Sequence, residues 1–124
     1  MTIKFYGHPF SSYCMKALIA FYENDIPFVL ALLDNSEPIS AQFAHLWPIQ
    51  RFPLLQDGAR TVPEASTIIE YLDVHYPGPS KLIPADPDAA IDVRLMDRFF
   101  DNYVSTPQGS IVFNAIRPVG KQDP

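Results

Sequence analysis

Gly7-His8-Pro9-Phe10-Ser11-Ser12-Tyr13-Cys14-Met15-Lys16-Ala17 is the stretch on which the fold turns. It follows an alternating run, Thr2-Ile3-Lys4-Phe5-Tyr6, and leads into apolar residues at Cys14, Ala17, Leu18, Phe21 and Tyr22, a helical spacing. A strand therefore hands over to a helix across a turn carrying Gly7 and Pro9. Ser11 and Ser12 fall where a helix needs side-chain oxygens for its unpaired backbone amides. The free N–H groups and positive dipole of such a start stabilise a thiolate, a carboxylate or an oxyanion, by up to about 1 kcal/mol at a surface and more when partly buried.

Downstream, Asn24-Asp25-Ile26-Pro27 stops this helix, and the apolar run Phe28-Val29-Leu30-Ala31-Leu32-Leu33 reads as a strand buried on both faces. Strand, helix and strand with a crossover of this length predict a parallel pair with a right-handed connection. Ser40 is placed to cap a short helix over residues 41–46, which Trp47-Pro48 ends. Phe52-Pro53-Leu54-Leu55-Gln56 and Ala59-Arg60-Thr61-Val62 flank Asp57-Gly58, a hairpin signal. A further helix carries Ala65, Ile68, Ile69, Leu72 and Tyr76 and closes at Pro77-Gly78-Pro79. The order βαβ, short helix, ββα describes an α/β domain over residues 1–77, with a mixed four-stranded sheet flanked by helices.

A proline-rich linker follows at residues 78–87, and Asp86-Pro87-Asp88 starts another helix. There Ile91, Val93, Leu95, Met96, Phe99, Phe100, Tyr103 and Val104 cover more than one helical face. One face can pack on the preceding domain, and the rest wants another partner. Pro107 kinks or interrupts this helix, and Ile111, Val112 and Phe113 form one more apolar patch. Residues 88–124 thus read as the opening of an incomplete all-helical domain, too short for an independent core.

Bulk properties narrow the function. A net charge of −5 without a local Lys/Arg cluster argues against nucleic acid as a partner. No apolar stretch approaches the length of a membrane span and no leader pattern precedes the first strand, so the expectation is a cytoplasmic protein away from membranes. The single cysteine, Cys14, excludes an internal disulfide framework, and His8, His45 and His75 have no metal-ligand spacing, so no metal is expected.

Four segments together resemble the glutathione transferase family, whose N-terminal domain is thioredoxin-like. The turn Tyr6-Gly7-x-Pro9-x-Ser11 leading to Lys16-Ala17-Leu18 is similar to the start of the serine-containing classes. Trp47-Pro48-Ile49-Gln50-Arg51-Phe52-Pro53-Leu54-Leu55 resembles the segment around the family's cis-proline. Pro63-Glu64-Ala65-Ser66-Thr67-Ile68-Ile69-Glu70-Tyr71-Leu72 resembles its glutathione-binding helix start, and the proline-rich linker leads, as in the family, into an amphipathic helix. The resemblance covers residues 2 to about 104. It implies glutathione as co-substrate, a small electrophile as the second substrate, and a homodimer, which the two-faced helix from Ile91 to Val104 suits.

Roles follow residue by residue. Ser11 is the candidate to hold glutathione sulfur as a thiolate, lowering that thiol's pKa from about 8.5 toward neutral; Ser12 is its neighbour in register, and simple helix capping is the rival role. The resemblance implies that Phe52-Pro53 is cis and that Phe52 pairs its backbone with the cysteinyl group; an edge-strand proline is the plainer alternative. Glu64 falls where the γ-glutamyl ammonium would pair, although Thr61-x-x-Glu64 is also a capping-box pattern. Ala65 stands where the family has a serine for the γ-glutamyl carboxylate, which leaves Ser66 and the helix-start amides. No Lys or His stands near Pro38-Ile39-Ser40 for the glycyl carboxylate, so Arg51 is the remaining local cation, its rival role being a solvated side chain. Ser11-Ser12-Tyr13-Cys14 has Cys-x-x-Cys spacing with serine first. Cys14 is thus either a redox thiol, supporting glutathione-dependent disulfide exchange, or a core residue on the helix stripe. A third reading is a non-catalytic binding or assembly domain.

Overall fold

The computed structural model describes residues 2–124, which divide into two compact units, one ending at Ile83 and one spanning Pro84–Pro124. The first runs β1 (Ile3–Gly7), α1 (Ser12–Glu23), β2 (Phe28–Leu32), α2 (Ile39–Leu46), β3 (Leu54–Asp57), β4 (Arg60–Pro63) and α3 (Ala65–His75). The sheet order is β2-β1-β3-β4, with β1 and β2 parallel and the other two pairings antiparallel. Strand alternation sorts the core into two clusters. Ile3, Phe5, Leu55 and Val62 face α1 and α3, meeting Cys14, Ala17, Phe21, Ala65, Ile68 and Leu72. Tyr6, Ala31 and Leu54 face the other way, toward Phe43 of α2. The result is a three-layer, thioredoxin-like α/β fold.

The run Phe28–Leu32 departs from its expected burial on both faces: Val29 and Leu30 are each 49% exposed. β2 is an edge strand, and only Ala31 is buried within it. Ser40 does not cap α2, which begins one residue earlier at Ile39 after Pro38, with no side-chain cap bond. The Thr61–Glu64 capping box is also absent, because Glu64 is itself the residue preceding the helix and its side chain makes no cap bond.

The linker is anchored before it leaves the first unit. Asn24 Nδ2 donates to Ser80 O at 3.0 Å and Ser80 N–H donates to Asn24 Oδ1 at 2.8 Å. Gly78 lies so close that a Cβ there would come within 2.5 Å of the Asn24 amide oxygen. Leu82 then packs on the larger core cluster.

At the hairpin end of the sheet, Tyr71 and Tyr76 both donate their hydroxyls to Asp57 Oδ2, at 2.8 and 2.7 Å. Arg60 stacks over the Tyr71 ring at 5.1 Å. The two phenols, Tyr76 foremost, hold the Asp57 carboxyl below its ordinary value, and the carboxylate pushes the Tyr76 hydroxyl up to about 12. A depressed Asp57 stabilises the fold at neutral pH, a contribution lost as pH falls through its folded pKa. The raised Tyr76 contributes fully below its ordinary 10.0, and that contribution disappears as pH rises toward about 12. Tyr76→Phe is expected to cost about 1 kcal/mol at neutral pH, discounted for partial solvent access. Urea unfolding of parent and variant checks this, with the gap narrowing at pH near 11.

The second unit comprises α4 (Pro87–Phe99), a π-helical segment (Phe100–Ser105) and α5 (Thr106–Ala115). Asp86 caps α4, its carboxylate accepting from Ala89 N–H at 2.8 Å. Pro107 interrupts the α ladder without ending the helical path. The turns just before it widen to π spacing, with Thr106 N–H and hydroxyl both reaching the Asp101 carbonyl, the latter at 2.8 Å. That widening accommodates a proline ring that would strike a carbonyl one α-turn back. Phe99, Phe100, Tyr103 and Phe113 are exposed on this unit. Among the described residues no helix is long and apolar enough to cross a membrane.

Candidate functional site

Strand register gathers the sequence-chosen residues at one end of the sheet. Gly7 at the end of β1 pairs with Leu32 at the end of β2, Tyr6 pairs with Leu54 at the start of β3, and Leu54 pairs with Pro63 at the end of β4. The turn after β1 with Ser11, the loop after β2, the segment before β3 with Phe52-Pro53, and Glu64 after β4 therefore all leave from the same edge. Three strand spacings separate β2 from β4, about 14 Å.

Ser11 is the N-cap of α1, in extended conformation, and its Oγ accepts from Cys14 N–H at 3.2 Å. Its own N–H donates to His8 O at 3.1 Å, which closes the turn. Ser12 is the first residue of α1 and is exposed. The helix stripe carries Cys14 into the core, where it is 1% exposed. Burial pushes the Cys14 thiol up, outweighing the Ser11 hydroxyl and the His8 N–H, 3.5 Å from Sγ, which pull it down. That environment suits a neutral core sulfur and opposes a redox nucleophile. His8 reaches the thiol only through its backbone; its ring Nδ1 accepts from Phe10 N–H at 3.1 Å.

The Phe52-Pro53 bond is cis, with Pro53 buried and Phe52 partly exposed. Beside it lies a cavity of about 170 Å³ lined by Leu33, Asn35, Ser40, Phe43, Gln50 and Phe52. Asn35 and Gln50 hold positive φ, 66° and 55°, a conformation that turns the backbone sharply at the rim. Arg51, expected as the local cation, is exposed and is not among the cavity's lining residues.

Glu64 stands at the opposite edge with φ 71° and ψ 124°, a conformation that L residues rarely adopt. Its carbonyl still accepts from Ile68 N–H at 2.9 Å, so α3 begins in register. Ala65 is 5% exposed and packs in the larger core cluster, which explains a methyl at that position. Ser66, one residue on, accepts from Lys16 Nζ at 2.8 Å, a bond joining α3 to α1. Ser40 was expected as a helix cap and instead lines the cavity, while Lys16, Asn35 and Gln50 were given no site role of their own from the sequence. Fifty residues separate Lys16 from Ser66, and no local pattern links them. The only signal for Asn35 and Gln50 is that such residues favour sharp turns. No group of three or more His, Cys, Asp or Glu residues among the described residues could hold a metal ion.

Comparison with known proteins places this geometry. Residues 5–80 match the family described as Glutathione S-transferase, N-terminal domain. Human glutathione S-transferase theta-1 is 33% identical over 88 residues, covering 69% of this chain and 37% of that protein. Protein LigF of Sphingobium sp. strain SYK-6 is 30% identical over 106 residues, covering 83% of this chain and 41% of LigF. The crystal structure of the beta-etherase LigF superposes with a TM-score of 0.80 at 28% identity, over 90% of this chain and 47% of that one. A glutathione S-transferase from Methylobacillus flagellatus KT with glutathione bound gives 0.84 at 28% identity, over 98% of this chain and 59% of that one. The chain thus spans about two fifths of the curated relatives it matches. With the profile covering well over half of the sequence, this chain belongs to the glutathione transferase family, and residues 5–80 are its N-terminal domain.

Proposed function

We propose that this chain is the glutathione-binding part of a glutathione transferase, conjugating the glutathione thiolate to an electrophilic small molecule. The observation that carries the reading is the alignment, along one sheet edge, of the Ser11 cap, the Phe52-Pro53 segment and Glu64. An extended tripeptide spans roughly 10 Å, which fits within the edge between the loops after β2 and β4. Its single cationic group, the γ-glutamyl ammonium, pairs with Glu64. That places the sulfur near Ser11 in the middle and the glycyl end toward the cavity beside Phe52.

Each residue then has a defined task. The Ser11 Oγ accepts from the Cys14 amide, so its own hydrogen can turn toward an incoming sulfur. Donation to sulfur, with the positive end of α1 behind it, favours the thiolate over the thiol and raises the nucleophile's concentration at neutral pH. Phe52 offers its backbone to the cysteinyl residue. The γ-glutamyl carboxylate meets the amides at the start of α3 and the Ser66 hydroxyl, which Lys16 holds in place. Arg51, exposed between the lining residues Gln50 and Phe52, is the cation in sequence reach of the glycyl carboxylate. Residues selecting the electrophile belong with the helical unit, whose exposed Phe99, Phe100 and Tyr103 suit further helices or a second subunit.

Calorimetric titration of glutathione in two buffers of different ionisation enthalpy tests this. The parent chain is expected to bind and release close to one proton at pH 7.5. Ser11→Ala is expected to bind within a few-fold yet release far less, the bound thiol returning toward its free value of about 8.5. A folded chain that does not bind glutathione overturns the reading.

The similarity to the beta-etherase LigF favours one specific electrophile class. There the thiolate would attack the carbon bearing the ether oxygen, forming a C–S bond as the C–O bond breaks and the oxygen leaves as an alkoxide that takes up a proton. Release of an alcohol from an ether substrate, with matching loss of free thiol, distinguishes this from conjugation to an alkyl halide.

A further inference from the structure

The outer edge of the sheet at β2 is open. Phe28-Val29-Leu30-Ala31-Leu32 holds neither a charge nor a proline, the devices that usually keep an edge strand from pairing, and among the described residues no strand lies on its outer side. Leu33 N–H donates inward to Gly7 O, so by strand alternation Val29 and Ala31 also turn their N–H and C=O toward β1. Phe28, Leu30 and Leu32 therefore present theirs outward. The faces beside this edge are apolar as well. Phe28 and Leu30 share the face that α1 covers, where the Tyr22 ring meets Phe28 at 5.8 Å and is itself 68% exposed. Ile19, one turn earlier on α1, is exposed too, and Val29 is exposed on the opposite face.

Both ends of the strand are acidic. Glu23 and Asp25 precede it, Asp34 and Glu37 follow it, and no lysine or arginine occurs over residues 17–50. Hydrogen bonds from Ser36 hold the Asp34 carboxyl below its ordinary value. On β1 the single cation is Lys4, which is in register with Val29 and lies one strand further in.

We infer that β2 is a docking edge for an extended polypeptide segment with apolar residues at alternate positions and Lys or Arg at both ends, which adds to the sheet as a fifth strand. Main-chain bonds to the outward groups of Phe28, Leu30 and Leu32 hold it, its apolar side chains meet Tyr22 and Leu30 on one face and Val29 on the other, and its basic ends meet the carboxylates. A second copy of this chain is the poorer occupant. Antiparallel β2–β2 pairing about a two-fold axis brings the Asp25 end of one strand against the Asp34 end of the other, with like charges facing. None of the residues assigned to glutathione takes part.

The probe is a short synthetic peptide in which valine and threonine alternate between two lysines at each end, titrated into this chain with NMR detection of the backbone amides. Saturable binding is expected, with hydrogen exchange at the Leu30 and Leu32 amides slowed by about tenfold or more and that at Val29 and Ala31, already bonded inward, little changed. N-methylation of one alternate set of peptide residues is expected to abolish binding, and of the other set to leave it within about threefold. Glutamates in place of the lysines, or Asp25→Asn combined with Asp34→Asn in the chain, are expected to weaken binding by about fivefold or more. Asparagine tolerates the positive φ of Asp25, 50°, and keeps an acceptor for Ser36 N–H. Absence of binding overturns the inference, as does equal affinity for lysine-ended and glutamate-ended peptides, or binding that neither N-methylated form loses. Protection of the Leu30 amide that rises with protein concentration in the absence of peptide, and that Val29→Lys removes, overturns it in favour of a second copy.

Discussion

Gly7→Ala is expected to lower the unfolding free energy by about 2 kcal/mol, the overpacking cost of one methyl in a filled core. Gly7 is the last residue of β1, buried, with its carbonyl accepting from Leu33 N–H at 3.0 Å. A Cβ there would sit 2.9 Å from Cys14 Sγ and 3.0 Å from the Phe5 ring. Neither neighbour can yield easily. Phe5 is wholly buried and packs edge-on against Phe21 and Phe28, and Cys14 is fixed to the first turns of α1. Gly7 is not at positive φ, so the cost is steric alone. Pairing the change with Cys14→Ala removes the closest atom, and the double variant is expected to regain about half of the loss. Urea unfolding of the four proteins in the cycle gives the coupling directly; additive losses would mean that α1 shifts as a body. The same pair has a functional consequence, because Ser11 caps the helix that a methyl at Gly7 would lift from the sheet.

That turn also marks how far the sequence reaches. Alternation at Ile3 and Phe5, the helical stripe through Cys14, Ala17 and Phe21, and the Asp57-Gly58 hairpin each follow from local stereochemistry, so the succession of strands and helices was legible from them, whereas the β1–β3 pairing that sets the sheet order was not. The edge position of Phe28–Leu32 was not. An unbroken apolar run states only that both faces tolerate apolar neighbours, and whether a layer covers each face depends on elements far along the chain. At the site, Ser11 was legible because a cap obeys local rules, and its bond to the Cys14 amide is of that kind. The Lys16–Ser66 bond and the neutral cavity were not, since each is assembled by tertiary packing between segments whose own patterns are ordinary. Glu64 is the sharpest instance. Its spacing from Thr61 matched a capping box, but the chain enters α3 through a positive φ that no propensity scale assigns to glutamate.

Glu64→Gly is expected to raise stability and weaken glutathione binding together. At φ 71° and ψ 124° a glutamate carries strain of about 1–3 kcal/mol, which glycine relieves. Against this stands the greater backbone entropy that glycine loses on folding, about 0.5–1 kcal/mol. The difference favours the variant by roughly 1 kcal/mol, enough to raise Tm by several degrees in a domain of this size. No cap bond from the side chain is lost, because none is made. Binding moves the other way. On the proposed reading the carboxylate is the partner of the γ-glutamyl ammonium, and a charge-assisted bond of about 1.5–3 kcal/mol corresponds to a loss of about tenfold to a hundredfold in affinity. Glu64→Gln separates the two effects: it keeps the strain and the shape, so its Tm should match the parent while its Kd rises nearly as far as that of the glycine variant. Thermal unfolding and calorimetry on the three proteins decide the matter. A glycine variant that is stabilised and still binds as the parent does would leave the strained backbone unexplained by ligand recognition. A glycine variant that loses stability would mean that contacts of the glutamate side chain outweigh its strain. A residue held in an unfavourable conformation without a cap bond to show for it is most simply understood if the conformation aims its carboxylate at something outside the chain.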